Sequence, residues 1–156
     1  LARLDSGEEN PPGEPVDVLD AVRQVMEHLF AHPGFERIEV DNRLQVPYRV
    51  AIPDRLLAIA IRNLLENALK YAPDGPVVLR VSADDADLKV AVIDQGEGLD
   101  AEQFAAAQKR FWRARASADG SGLGLSIVLA ICQRYQGELG CEQDADGFAV
   151  WLRFTL

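Results

Sequence analysis

The sequence predicts an α+β domain in which a mostly antiparallel sheet carries helices on one face. Three observations predict it. A 3.6-residue apolar pattern runs through residues 53–71. Two pairs of β-rich runs, 77–81 with 88–93 and 138–143 with 148–156, are each joined by a short acidic turn. A further apolar helix pattern, 123–135, lies between those pairs. The 156 residues suit one domain, long enough to bury roughly 70% of its unfolded surface.

Residues 1–15 form a separate segment, a helix end (LARLDSGE) followed by a Pro-rich linker (ENPPGEP), and the domain proper is expected over 16–156. A chain that opens on a helix end is expected to be a piece of something longer. Residues 16–30 read as an amphipathic helix with Leu19, Val22, Val25, Met26 and Leu29 on one side and Pro33-Gly34 as its stop. Extended runs follow at 38–40 and 44–51. Pro53-Asp54 opens the next helix, with proline pre-set for a first turn and aspartate at the positive end of the dipole. Pro73-Asp74-Gly75-Pro76 ends it. Asp100 and Gln103 have capping-box spacing for a short helix through Ala107. Residues 113–122 have no apolar period and read as a mobile loop, and Gly137 is the expected stop of the 123–135 helix.

The net charge of −9 disfavours nucleic acid or an anionic membrane as main partner, since both reward a basic face. It leaves room for a nucleotide, whose phosphate charge a bound cation can offset. Cys132 and Cys141 are too few for a disulfide framework, and Cys132 reads as a small buried hydrophobe. The longest apolar run, 123–132, is far short of a membrane span, and no signal peptide is visible, so the chain is expected to be soluble.

Chemistry concentrates in three places. On the 53–71 helix, Asn63, Asn67 and Lys70 stand at i, i+4 and i+7 and share one narrow polar stripe. Amide oxygens and one cation in register suit a cleft that holds an anionic, metal-bound ligand better than a solvated face. The run 88–93 ends in Asp94-Gln95-Gly96-Glu97-Gly98. Gly96-x-Gly98-x-x-Ala101 meets a relaxed dinucleotide fingerprint, but too little chain follows to build the repeated crossover units that fold needs. The third place is Gly120-Ser121-Gly122-Leu123-Gly124-Leu125, whose glycines run into a helix start. Free backbone N–H groups and the helix dipole there favour phosphate. No Gly-x-x-x-x-Gly-Lys-Ser/Thr occurs.

In this order the three elements resemble the ATP-binding domain of the GHKL superfamily, which includes DNA gyrase, large heat-shock chaperones, histidine kinases and MutL-type repair proteins. Asn63-Leu64-Leu65-Glu66-Asn67-Ala68-Leu69-Lys70-Tyr71 resembles the histidine kinase N box. Asp94 to Gly98 resembles the G1 box, and Gly120 to Leu125 the G2 box. Arg110-Phe111-Trp112-Arg113 resembles the second half of the F box. The resemblance implies a two-layer α/β sandwich, a mixed, mostly antiparallel sheet of about five strands with about three helices on one face.

It also implies roles. Asn67 would give an amide oxygen to Mg²⁺, which otherwise keeps waters and phosphate oxygens. Lys70 and Arg113 would contact phosphates as a point charge and a planar fork, with Asn63 beside them as the other catalytic position. Asp94 would accept from the adenine amine. Tyr71, Gly96, Gly98, Leu99, Arg110 and Phe111, with Gly120, Ser121, Gly122, Leu123, Gly124 and Leu125, would complete the ATP site. Gln108 stands where the F box commonly has an aromatic, and Phe104 one turn earlier is placed to take over its packing.

Hydrolysing members of the superfamily carry a water-activating glutamate at the position of Asn63. An amide cannot take that proton, whereas phosphoryl transfer depends mainly on positioning and charge. Glu66 lies off the stripe's centre. His28 and His32 lack the sequence context of a phosphoacceptor and read as ordinary helix residues. The expected function is therefore the ATP–Mg²⁺-binding catalytic domain of a bacterial sensor histidine kinase. It would pass the γ-phosphoryl group to a histidine on a dimerisation helix outside this chain, and thence to a response regulator's receiver domain. Such a chain would be monomeric and cytoplasmic, and the full protein a homodimer in the inner membrane. Two alternatives stand beside this: a GHKL serine kinase of anti-sigma type, and an ATP-dependent docking module without transfer.

Overall fold

The computed structural model describes residues 16–109 and 124–155. Its elements are β1 (Val16–Asp17), α1 (Val18–Leu29), a 3-10 turn (Phe35–Arg37), β2 (Ile38–Asn42), β3 (Arg49–Val50), α2 (Asp54–Tyr71), β4 (Val77–Ala83), β5 (Asp87–Asp94), α3 (Ala101–Ala107), α4 (Gly124–Arg134), β6 (Glu138–Asp144) and β7 (Gly147–Thr155). Five strands make the main sheet in the order β2-β4-β5-β7-β6. The predicted class holds, with one parallel pair, β2 with β4, in an otherwise antiparallel sheet. That pair is parallel because α2 lies between its strands in sequence and carries the chain back across the sheet.

Side-chain alternation sorts the sheet into two faces. Val77, Leu79 and Val81 of β4, Leu88, Val90 and Val92 of β5, and Leu152 and Phe154 of β7 are buried in one core with α1, α2 and α4. Leu57, Ala60, Ile61 and Leu65 supply α2's share, each fully buried. The opposite face is held by ion pairs: Arg80 with Asp41 at 2.9 Å, Lys89 with Glu142 at 3.0 Å, and Arg153 with Glu138 at 3.0 Å. Trp151 lies there between Lys89 and Arg153, above Gly140, where a Cβ would overlap its ring. The same parity carries Asp94, two residues past Val92, onto the helix side at the end of β5.

Three boundaries differ from the sequence expectation. The first helix starts at Val18 and ends at Leu29, because the Asp17 side chain accepts from Leu19 N at 3.0 Å and caps it. Val16 and Asp17 instead pair with Val50 and Arg49. The expected extended run 44–51 shrinks to Arg49–Val50, and Pro47, with no N–H, cannot donate to a ladder. At the end of α4 it is Gln136, φ 60°, that takes the left-handed position. Gly137 follows it and donates to Cys132 O at 2.8 Å. Glycine is needed there because a Cβ would run into the Phe154 ring.

Candidate functional site

The site is built around the polar stripe of α2. Its apolar residues pin that helix against the sheet, so the stripe's orientation follows from core packing. Asn63 Nδ2 donates to Ile59 O at 2.8 Å, one turn back, which leaves its oxygen as the outward atom. Asn67, one turn on, is half-buried, and its amide has no hydrogen-bond partner among the described residues. It lies flush with the first residue of α4: a Cβ on Gly124 would sit 2.9 Å from Asn67 Oδ1. Leu125 next to it is buried and anchors the start of α4 in the core. Lys70 is exposed, its Nζ 5.9 Å from the centre of the Tyr71 ring.

Asp94 ends β5 and turns its carboxylate back on its own loop, where Oδ1 accepts from Gly96 N at 2.9 Å. Burial pushes its pKa above the ordinary aspartate range, against the opposing pull of the Gly96 N–H and the Arg37 guanidinium. Gly96 is pressed on the end of α2, since a Cβ there would lie 3.0 Å from Ala72 Cβ. Gly98 has φ +74°, and a Cβ there would come within 2.6 Å of Phe148, so only glycine fits this turn. Leu99 packs partly against the core. A depression of about 310 Å³ adjoins the loop, lined by Tyr71, Pro73, Asp74, Gln95, Gly96 and Glu97.

The fold thus brings the first glycine loop and the start of α4 to the same helix. Asn67, in the last third of α2, meets Gly124, and the Asp94–Gly98 turn meets Ala72 at its end. Arg110, Phe111, Arg113, Gly120, Ser121, Gly122 and Leu123, like the loop 113–122 and the segment 1–15, lie outside the described residues. Phe104 is buried in the core and Gln108 Nε2 donates back to its carbonyl at 3.1 Å. The capping box of α3 is complete, with Asp100 Oδ1 accepting from Gln103 N at 2.7 Å.

Several side chains are assigned elsewhere. Glu66 lies 3.7 Å from Arg62 Nε, and Arg62 reaches His28 of α1 at 2.9 Å, so this carboxylate belongs to the α1 side of the helix. His32 falls in the turn after α1, not in the helix as expected; its Nδ1 accepts from Gly34 N at 2.9 Å. Cys132 is buried, which pushes its thiol up to about 11. Among the described residues there is no group of three or more His, Cys, Asp or Glu that could hold a metal, and no helix long and apolar enough to cross a membrane.

One residue was not singled out from the sequence. Arg37, in the 3-10 turn, donates Nε to Gly75 O at 2.9 Å, Nη1 to Leu69 O at 3.4 Å, and Nη2 to Ala72 O. It caps the carbonyl end of α2 from a distance of over thirty residues in sequence. No local pattern marks such a contact, because it exists only once β2 lies beside β4.

The family model for histidine kinase-, DNA gyrase B- and HSP90-like ATPases matches residues 53–156. The chain belongs to this family. Within it, the chain is similar to the signal transduction histidine-protein kinase AfsQ2 of Streptomyces coelicolor, 32% identical over 159 residues, covering 100% of this chain and 28% of that protein. Among solved structures, a mycobacterial sensor histidine kinase, MprB, superposes with a TM-score of 0.76 at 28% identity, over 92% of this chain and 97% of that one. Full-length ShkA, solved in complex with AMPPNP, superposes with a TM-score of 0.70 at 28% identity, over 90% of this chain and 30% of that one. The fold is that of a histidine kinase catalytic domain, and the chain spans 28% of AfsQ2's length.

Proposed function

We propose that the chain binds ATP with Mg²⁺ and serves as the catalytic domain of a sensor histidine kinase. It passes the γ-phosphoryl group to a histidine on dimerisation helices outside residues 16–156, for onward transfer to a response regulator. One observation carries this reading: among the described residues α2 holds Asn63 and Asn67 with amide oxygens left over, where the first residue of α4 meets it. A hydrolase needs a proton acceptor there, and an amide at neutral pH is not one. A transferase needs chiefly a ligand held still.

The residues fit a metal-bound nucleotide. Asn67 Oδ1 is the amide oxygen that would face the ion, and a site without a carboxylate cluster suits an ion that keeps waters and phosphate oxygens. Mg²⁺, when bound, neutralises phosphate charge and holds the phosphates in a defined geometry. Lys70 and Arg113 would steady the phosphates, and backbone N–H groups at the start of α4 would meet them along the helix dipole. Asp94 would accept from the adenine amine with the oxygen that Gly96 leaves free. Tyr71, Gly98, Leu99, Arg110, Phe111, Gly120, Ser121, Gly122 and Leu123 would enclose the rest. Residues 1–15 would be the end of a dimerisation helix and its linker, and the whole protein an inner-membrane homodimer with this domain in the cytoplasm.

Calorimetric titration with ATP and GTP, with and without Mg²⁺, tests the site. Asn67→Ala should remove the Mg²⁺-dependent part of the affinity. Asp94→Ala should erase a preference for ATP over GTP of roughly fivefold to over a hundredfold, because guanine would set a carbonyl oxygen against a carboxylate at a cost of about 1–3 kcal/mol. Adding acceptor helices from the same protein should then yield acid-labile phosphohistidine. Unchanged binding in both variants overturns the site; tight binding without transfer favours the docking module.

A further inference from the structure

We propose that Arg37 is a positioning residue for nucleotide recognition: from its 3-10 turn it fixes the end of α2 against the Gly96 turn and so sets the Asp94 carboxylate toward the base. The inference rests on reading Asp94 as the adenine acceptor. Contact runs without a gap from one residue to the other. The guanidinium donates to the carbonyls of Leu69, Ala72 and Gly75, which surround the point where α2 stops and the chain turns toward β4. Ala72 in turn abuts Gly96, and Gly96 N donates to Asp94 Oδ1 at 2.9 Å. If the end of α2 frays, Ala72 no longer backs the turn, and the Asp94 oxygens lose their fixed direction. Lys70 and Tyr71 occupy the same last turn and move with it.

The guanidinium also acts through space. The carboxylate is met by the Gly96 N–H from its own loop, by β7 at Phe148, its cross-strand partner, and by the positive charge of Arg37. Tyr71, Asp74 and Glu97 line the neighbouring depression with Gly96 and are the same in every variant considered. Burial favours the protonated acid and Arg37 opposes it, so Arg37 helps keep Asp94 in its better accepting, ionised form. Two contributions of one residue can be separated by substitution. Lysine keeps the charge and loses the planar fork, while glutamine loses the charge and most of the capping.

The test measures ATP affinity of the 156-residue chain and its variants from about pH 4.5 to 8, with thermal unfolding alongside. ATP's own titration is common to all proteins and cancels between them. Arg37→Gln should weaken ATP roughly threefold or more at neutral pH and move the acid-side loss of affinity to higher pH. Arg37→Lys should keep the acid limb near its original place while unfolding at a lower temperature. If Arg37→Gln does not fold, displacement of the acid limb to higher pH in Arg37→Lys overturns the electrostatic part. A folded Arg37→Gln that binds ATP like the parent, with its acid limb in the parent position, overturns the proposal and leaves Arg37 a structural cap. Asp94→Asn tells the two failures apart: if it binds ATP like the parent with the same pH profile, the reading of Asp94 fails and the proposal falls with it.

Discussion

At the scale of single residues, the site uses groups held short of their ordinary environment. Asn67 is half-buried with no hydrogen-bond partner for its amide among the described residues, and Asp94 is an acid that burial drives toward neutrality. Both arrangements cost stability unless a ligand completes them. For Asp94 the sign follows from linkage. An acid with a raised folded pKa makes the fold bind more protons than the unfolded chain, so stability declines as pH rises from the ordinary 3.8 through the raised value. Above that window the penalty is constant. Asp94→Asn keeps the acceptor for Gly96 N and removes the charge, so it should unfold at a higher temperature than the parent at pH ~7, with the gain closing as pH falls toward ~4. An unfolding midpoint below the parent's at neutral pH would contradict this.

At the scale of elements, function is a matter of how helix ends meet. The start of α4 lies on the last third of α2, and Gly124 is the residue at the crossing. Gly124→Ala inserts a methyl 2.9 Å from Asn67 Oδ1. Alanine favours helix by up to ~1 kcal/mol, so unfolding temperature should barely change, while Mg²⁺-dependent ATP affinity drops by roughly threefold to tenfold. Equal loss of metal-free binding would point to the loop backbone instead. The elements themselves were largely legible. Helix α2, the hairpins β4–β5 and β6–β7, and the capping box of α3 each rest on contacts between near neighbours in sequence, which periodicity and turn chemistry record. At the end of α4 the left-handed position falls on Gln136, one residue before the expected stop Gly137, which marks instead a close approach of Phe154 from β7.

At the scale of the whole molecule, one core of four helices against one face of the sheet holds the site's geometry. The other face buries Ala91, Ile93 and Ala149 and is otherwise tied by screened ion pairs, each worth little. Substitutions should divide accordingly. Leu57→Ala, at a fully buried position of α2, should cost about 2–5 kcal/mol in urea denaturation. Lys89→Ala, on the outer face, should cost under ~1 kcal/mol and leave ATP affinity intact. Comparable losses at the two positions would mean that the outer face is covered in the functional protein.

The sequence by itself determined the class of fold, the amide stripe, both glycine loops and the membership they imply, since each is written in residues within one turn or one helix of one another. Tertiary structure decided what no local pattern encodes. It made β2 parallel to β4, set Gly124 on Asn67, and brought Arg37 across to close the end of α2 and face Asp94. Those contacts join segments far apart in the chain, and they exist because apolar faces settle against one sheet and leave the polar atoms of different elements at one edge.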